Sequence, residues 1–291
     1  MIGIIAAISA SFSWTYACFI WRSKTNEFKP LDINLLKNLL AFLFFLPALL
    51  TFNLEIENKY IFILFISGII GIGLGDTFYL KSLQLIGTRK TLSIEALSPV
   101  MAGFTGDFFI KENLLTKSWI GILLVTLSLL IIIKKQNYLF DKNSILISKP
   151  SNPKNYIYAF LSVFCAVLAA LLSRYVFLKV EISPLISTEI RLLGSIVYLL
   201  LISKFKVNFF ISSLKMNERI IFIVSILLGT NFGILLQQIV FKTLPIAIGW
   251  TLLSTSPIIA LFFSKREEGV ISGTIIMSTF FLFIGLCLII L

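Results

Sequence analysis

Lys37, Asp76, Glu95, Glu189 and Arg191 are five charged residues set inside long apolar stretches of a 291-residue chain. A charge at membrane depth is costly and turns inward, to a partner or to cavity water. Ser187, Thr188, Gly194 and Ser195 lie three or four residues from Arg191, on its helical face. Such a small, polar stripe makes a poor lipid surface, so Arg191 points into a bundle. Two readings stay open for it: an ion pair with a carboxylate on a neighbouring helix, or capture of a substrate anion, since guanidinium matches carboxylate geometry. Lys37 lies nearer a helix start, where snorkelling to the interface is a further reading.

Glu95 has Pro99 at i+4, Ala102 at i+7 and Gly106 at i+11. Proline removes a backbone donor, so a carbonyl near Glu95 needs protein or cavity water to satisfy it. Glu95 reads either as a proton-coupling group or as a static pair with Lys37 or Arg191. Asp76 ends the run GIIGIGLGD, residues 68–76, whose glycines point to close helix packing. A phosphate-binding loop is excluded there, with no flanking strand and no Walker lysine. Asn231, Gln237 and Gln238 add donors and acceptors that would line a cavity. Trp14 and Trp250 lie too deep for an interfacial belt and either stack on a substrate or pack, whereas Trp119 at a span end fits an interfacial anchor.

The elements that position these residues follow from composition. The chain is 58% hydrophobic and 13% charged, with a mean hydropathy of +0.98. It lacks the residues for a polar shell and reads as an all-α integral membrane protein. Ten spans fit: 2–20, 32–52, 60–80, 90–110, 117–133, 156–177, 184–203, 219–241, 245–263 and 270–290. The runs do not alternate, which argues against a barrel. A net charge of +11 belongs to loops beside anionic lipid and not to nucleic-acid binding. With no histidine, the commonest metal ligand and general base are missing, and neither metal nor cofactor is expected. Cys18, Cys165 and Cys287 fall in apolar runs and read as small hydrophobes. The N-terminus has no basic n-region, so no cleaved signal peptide is expected.

The chain divides into 1–134, a connecting loop at 135–155, and 156–291. Offset by 158, Gly71 and Gly75 meet Gly229 and Gly233, and Ser98-Pro99 meets Ser256-Pro257. Offset by about 154, Pro30 meets Pro184 and Lys37 meets Arg191. Five helices is an odd number, so a duplicated half enters the membrane the other way up, giving two inverted five-helix repeats of the transporter type. The loops after spans 1, 3, 5, 7 and 9 carry sixteen Lys and Arg against six on the other face. Equivalent loops therefore carry opposite bias, as inversion requires, and the positive-inside rule puts both termini outside.

These features resemble the EamA family of the drug/metabolite transporter superfamily over essentially the whole chain. The resemblance is carried by Trp14 in SFSWTYA, Lys37 and Arg191 in helices 2 and 7, and the Gly-rich third helix of each repeat. Ser-Pro in helices 4 and 9 and the acidic turns at 110–115 and 264–269 complete it. The two acidic turns do not align without a gap, which departs from a strict repeat. The resemblance implies a ten-helix bundle with a central cavity, peripheral helices 5 and 10, and both termini in the cytoplasm, against the charge count.

The expected function is a secondary transporter, an exporter of small metabolites such as amino acids across a bacterial cytoplasmic membrane by alternating access. Protons are the candidate coupling ion, and the working unit is a monomer or homodimer. The alternatives are a multidrug or other solute carrier of the same fold, or a membrane-embedded lipid-modifying enzyme. The last is disfavoured because the acids are scattered instead of clustered at one interface. The candidate binding and coupling residues are Glu95, Arg191, Lys37, Asp76, Trp14, Asn231, Gln237 and Trp250, with Pro99 and Pro257 as helix breakers.

Overall fold

The computed structural model describes residues 1–49, 56–143, 152–206, 210–256, 258–259 and 273–290. Among them all regular structure is helical. The first part of the chain contains α1 (Ile2–Thr25), α2 (Pro30–Leu49), α3 (Asn58–Gly68), α4 (Asp76–Glu95), α5 (Ser98–Ile110) and α6 (Thr116–Asn143). The second contains α7 (Tyr156–Lys179), α8 (Pro184–Ile202), α9 (Met216–Ile226), α10 (Gly233–Thr243), α11 (Ile246–Leu253) and α12 (Gly273–Ile290). A π-helical turn, Ile69–Gly75, joins α3 to α4, and a second, Leu227–Phe232, joins α9 to α10.

Among the described residues six stretches are long and apolar enough to cross a membrane: Ile2–Thr25, Pro30–Pro47, Asn58–Gly87, Tyr156–Lys179, Pro184–Ile202 and Met216–Thr243. They cover six of the expected spans. Thr116–Ile132 and Met277–Ile290 are shorter apolar helices. Large apolar side chains such as Phe104, Phe108, Leu127 and Phe280 face outward, as a bilayer solvent allows.

Two expectations are adjusted. The span 90–110 is interrupted, as the breaker Pro99 implies, but no turn forms at Pro99 itself: the break falls at Ala96–Leu97, and Pro99 sits in the first turn of α5. A proline is well placed there, because a first-turn residue has no intrahelical partner for an N–H in any case. The expected loop around 81–89 is also absent. Helical turns run on through it, kinked at Gly87, whose φ of +81° only glycine adopts without strain. Pro257, the acidic turn at 264–269 and the end of the 245–263 span lie outside the described residues.

Helix boundaries recur at the offsets read from the sequence. Ile2–Thr25 and Tyr156–Lys179 are each 24 residues and start 154 apart. Asn58–Gly68 and Met216–Ile226 are each 11 residues and start 158 apart, as do the two π-helical turns that follow them. The last residues of α4 and α11, Glu95 and Leu253, are again 158 apart. The Gly87 kink in the first part thus corresponds to the Leu244-Pro245 break between α10 and α11.

Close crossings hold the bundle together. A Cβ on Gly68 would collide with the backbone of Arg191, and one on Gly194 with the backbone of Phe65. The two glycines let α3 and α8 touch main chain to main chain, which sets the depth of Arg191. On the periphery α6 packs on α12 through Gly121 and Gly285.

The ends of the bundle are tied by polar contacts. At one, Arg174 donates to Glu112 at 2.6 Å and to the carbonyls of Phe241 and Lys242, at 3.0 and 2.9 Å. Glu112 in turn accepts the Ile246 amide at 2.7 Å. At the other, Lys24 donates to Glu218 at 3.1 Å and Gln84 to the Thr25 carbonyl at 2.7 Å.

Gly194→Leu should force α3 and α8 apart and destabilise the protein by about 1–3 kcal/mol. Thermal unfolding in detergent measures this, and an unchanged midpoint would show that the crossing has room to spare.

Candidate functional site

The site is built where helices are interrupted. A π turn offsets the hydrogen-bond ladder and leaves carbonyls without their usual donors. Asn34 on α2 supplies the replacement, its amide donating to Ile72 and Gly73 oxygens at 2.8 and 3.1 Å. Thr77 also donates to the Gly73 carbonyl, at 2.6 Å. These contacts fix the start of α4 and place Asp76 opposite Lys37, with Nζ to Oδ2 at 2.5 Å. Lys37 is fully buried, so it does not snorkel. Its ammonium also donates to Asn38 at 3.2 Å and stands over the Trp21 ring, 5.2 Å from the centroid.

The α4–α5 break presents Glu95. The carbonyl of Glu95, which loses Pro99 as a donor, accepts from the Ser98 hydroxyl at 2.7 Å. The same device recurs 158 residues on, where Ser256 donates to the Leu253 carbonyl at 3.1 Å. A second donor reaches that carbonyl from α1, Ser11 at 2.8 Å. Both breaks are therefore stable at depth, and neither leaves that carbonyl bare.

Between these breaks lies a cavity of about 100 Å³. Trp14, Asp76 and Glu95 line it from the first part of the chain, and Arg191, Gln237 and Trp250 from the second. Trp14 packs edge-on against Trp21 with centroids 5.3 Å apart, and against Tyr79 at 5.7 Å. Trp250 lies against Phe241 at 6.0 Å, and its Nε1 is buried without a hydrogen-bond partner. Arg191 is 3% exposed, and its Nε and Nη1 make no hydrogen bond. Among the described residues no ion pair joins Arg191 or Glu95 to another side chain, so the static-pair reading of both is not met.

Of the eight expected binding residues, six share this wall. Lys37 stands behind it as the partner of Asp76. Asn231 does not line it: buried in the second π turn, its amide donates to the Ala41 carbonyl at 2.9 Å, across to α2. Gln238 likewise turns away and accepts from Ser187 at 2.9 Å. Glu189 is fully buried, with both carboxyl oxygens lacking hydrogen-bond partners, but lies outside the wall. Two residues from Arg191 on a helix means about 200° around the axis.

Tyr79 and Ser11 were not singled out in the sequence, yet both line the cavity. Each is three residues from a residue that was, Asp76 and Trp14 respectively, so helical spacing was the available signal. The Glu112–Arg174 tie was not legible, because it joins the turn after α5 to α7, 62 residues on in the sequence.

These features define a multi-pass helical membrane protein built around a small polar chamber. Residues 1–134 match the model of the EamA-like transporter family. No curated protein matches the sequence. Solved structures share the fold: one, a crystal structure of a protein, superposes with a TM-score of 0.73 over 98% of this chain and 95% of its own, at 13% identity. That likeness concerns the fold alone.

Removing one member of a buried ion pair strands the other charge. Lys37→Met or Asp76→Asn alone should each cost about 3–5 kcal/mol, and the double variant much less. A double-mutant cycle by thermal unfolding tests this. Additive losses would show that the two residues do not stabilise one another.

Proposed function

We propose that the protein is a secondary transporter that exports small metabolites by alternating access, with ten membrane helices in two inverted repeats, 1–134 and 156–291, joined by 135–155. The observation that carries the reading is the chamber itself. It lies where helices are interrupted, it is walled from both parts of the chain, and it combines charged groups with two indoles. Transporter sites are built this way, from interrupted helices meeting near the midplane. The recurring helix boundaries and the EamA-like match over 1–134 support the duplicated architecture. The excess of basic residues in alternate loops supports opposite insertion of the two parts.

Binding here follows from size and chemistry. A chamber of about 100 Å³ takes a small solute and excludes a lipid. The aromatic faces of Trp14 and Trp250 suit an apolar portion of the solute, while Glu95, Arg191 and Gln237 hold its polar end.

Purified protein in liposomes loaded with a cell metabolite extract should release at least one small solute faster than protein-free liposomes. Ala166→Trp, which fills the chamber from α7, should reduce that release to the protein-free level while leaving the unfolding temperature within a few degrees. If no solute of the extract moves faster through the protein than through lipid, the transporter reading is wrong.

A further inference from the structure

The two basic residues at matching positions are in opposite electrostatic states. Lys37 is neutralised: its ammonium is held by Asp76 at 2.5 Å and by Asn38 at 3.2 Å. Arg191, 154 residues on, has no such partner. Where Asp76 would recur, 158 residues on, the chain carries Ile234. Asp76 shares the chamber wall with Arg191, but its carboxylate is held by Lys37. The guanidinium is therefore almost fully buried, lines the chamber, and keeps two nitrogens without acceptors. A desolvated cation in this state lacks the interaction that would offset its burial.

The chamber also holds an opposite vacancy. Glu95 lines it and forms no ion pair with a described residue, and its counterpart 158 residues on is Leu253. With Lys37 and Asp76 cancelling each other, what remains is one guanidinium on α8 and one carboxyl group on α4, lining a common space without an ion pair across it. A second buried donor, Nε1 of Trp250, also lies on the wall without a partner.

Resting on the transporter reading above, we propose that the chamber is a site for a small zwitterion, its carboxylate on Arg191 and its ammonium on Glu95. Guanidinium offers two parallel N–H donors to a carboxylate, and the lone carboxylate of Glu95 suits an ammonium. A substrate with both groups satisfies both walls and enters with no net charge. A dianion such as a phosphate ester would leave Glu95 facing like charge. A simple amine would leave the guanidinium unpartnered. The structural ion pair made by Asp76 in one part of the chain is thus replaced in the other by the substrate.

The test is counterflow in proteoliposomes with labelled amino acids as probes, each compared with its methyl ester, which lacks the carboxylate, and its 2-hydroxy acid, which lacks the ammonium. The zwitterion should exchange, with the ester and the hydroxy acid at least about tenfold slower, the range expected when a buried polar group loses its partner. Arg191→Gln should abolish zwitterion exchange, and Arg191→Lys, which keeps the charge without the fork, should raise the half-saturating concentration about tenfold or more. Glu95→Gln should narrow the gap between amino acid and hydroxy acid. Thermal unfolding shows whether each variant is folded, and the analogue comparison needs no variant at all. If esters or hydroxy acids exchange as fast as amino acids, or if folded Arg191→Gln exchanges normally, the zwitterion site is wrong. If metabolites other than zwitterions move while amino acids do not, the site is again wrong and the transporter reading stands. If nothing moves, both are wrong.

Discussion

Every break in a membrane helix must be repaired from within the protein, because hydrocarbon offers no hydrogen bonds. The chamber exists only because these repairs are made. Opening the α4–α5 junction frees the Glu95 carbonyl, and Ser98 takes it. At the α11 end the Leu253 carbonyl is taken by Ser256 and by Ser11 from α1. The first π turn is closed off by Asn34 and Thr77, donating to carbonyls that the widened ladder leaves over. Each repair is short-range or reaches one neighbouring helix, so the backbone can turn aside and expose side chains without exposing itself.

That economy explains how two stretches with matching helix boundaries come to differ in chemistry. Matching positions carry the same scaffold: a proline-led second helix, a π turn, and a serine-capped break. The ionisable groups do not follow the same pattern. Lys37 pairs with Asp76, while Arg191 forms no ion pair with a described residue and Glu95 corresponds to Leu253. A symmetric arrangement would put a neutral pair on both sides and leave no charge to recognise a solute. The scaffold is thus free to repeat while the chamber's charge arrangement does not.

The sequence made this division partly legible. Hydropathy identified the six membrane-length helices found among the described residues, since each run needs only enough apolar residues to cross lipid. The matching offsets were visible in Gly and Pro because these residues mark backbone events, and π turns and helix starts fall at or beside the described ones. Of the eight candidates, the six that line the chamber are five charged or indole residues and the amide Gln237, groups that rarely face lipid at depth. What was misread depended on partners across space. Asn231 was placed in the chamber for its polarity, yet its amide serves the Ala41 carbonyl on α2. The break in the span 90–110 was signalled by Pro99, but its place at Ala96 and Leu97 was not, because proline is tolerated in the first turn of the helix that follows.

The same requirement sorts the polar contacts by depth. Repairs made by Ser98, Ser11 and Asn34 lie inside the bundle, where a released carbonyl would find no replacement donor. The ties at the ends are different. Glu112 and Arg174 hold the last carbonyls of α10 and the first amide of α11, and Lys24 reaches Glu218 between α1 and α9. These groups lie at or near helix ends. If such a tie opens, water can take the place of the lost partner, at a cost of a few kcal/mol at most. A carrier must open one end of its chamber at a time while its interior stays intact. Here the contacts that join the two parts of the chain at the ends are the ones that water can substitute, and those that hold the broken helices are not.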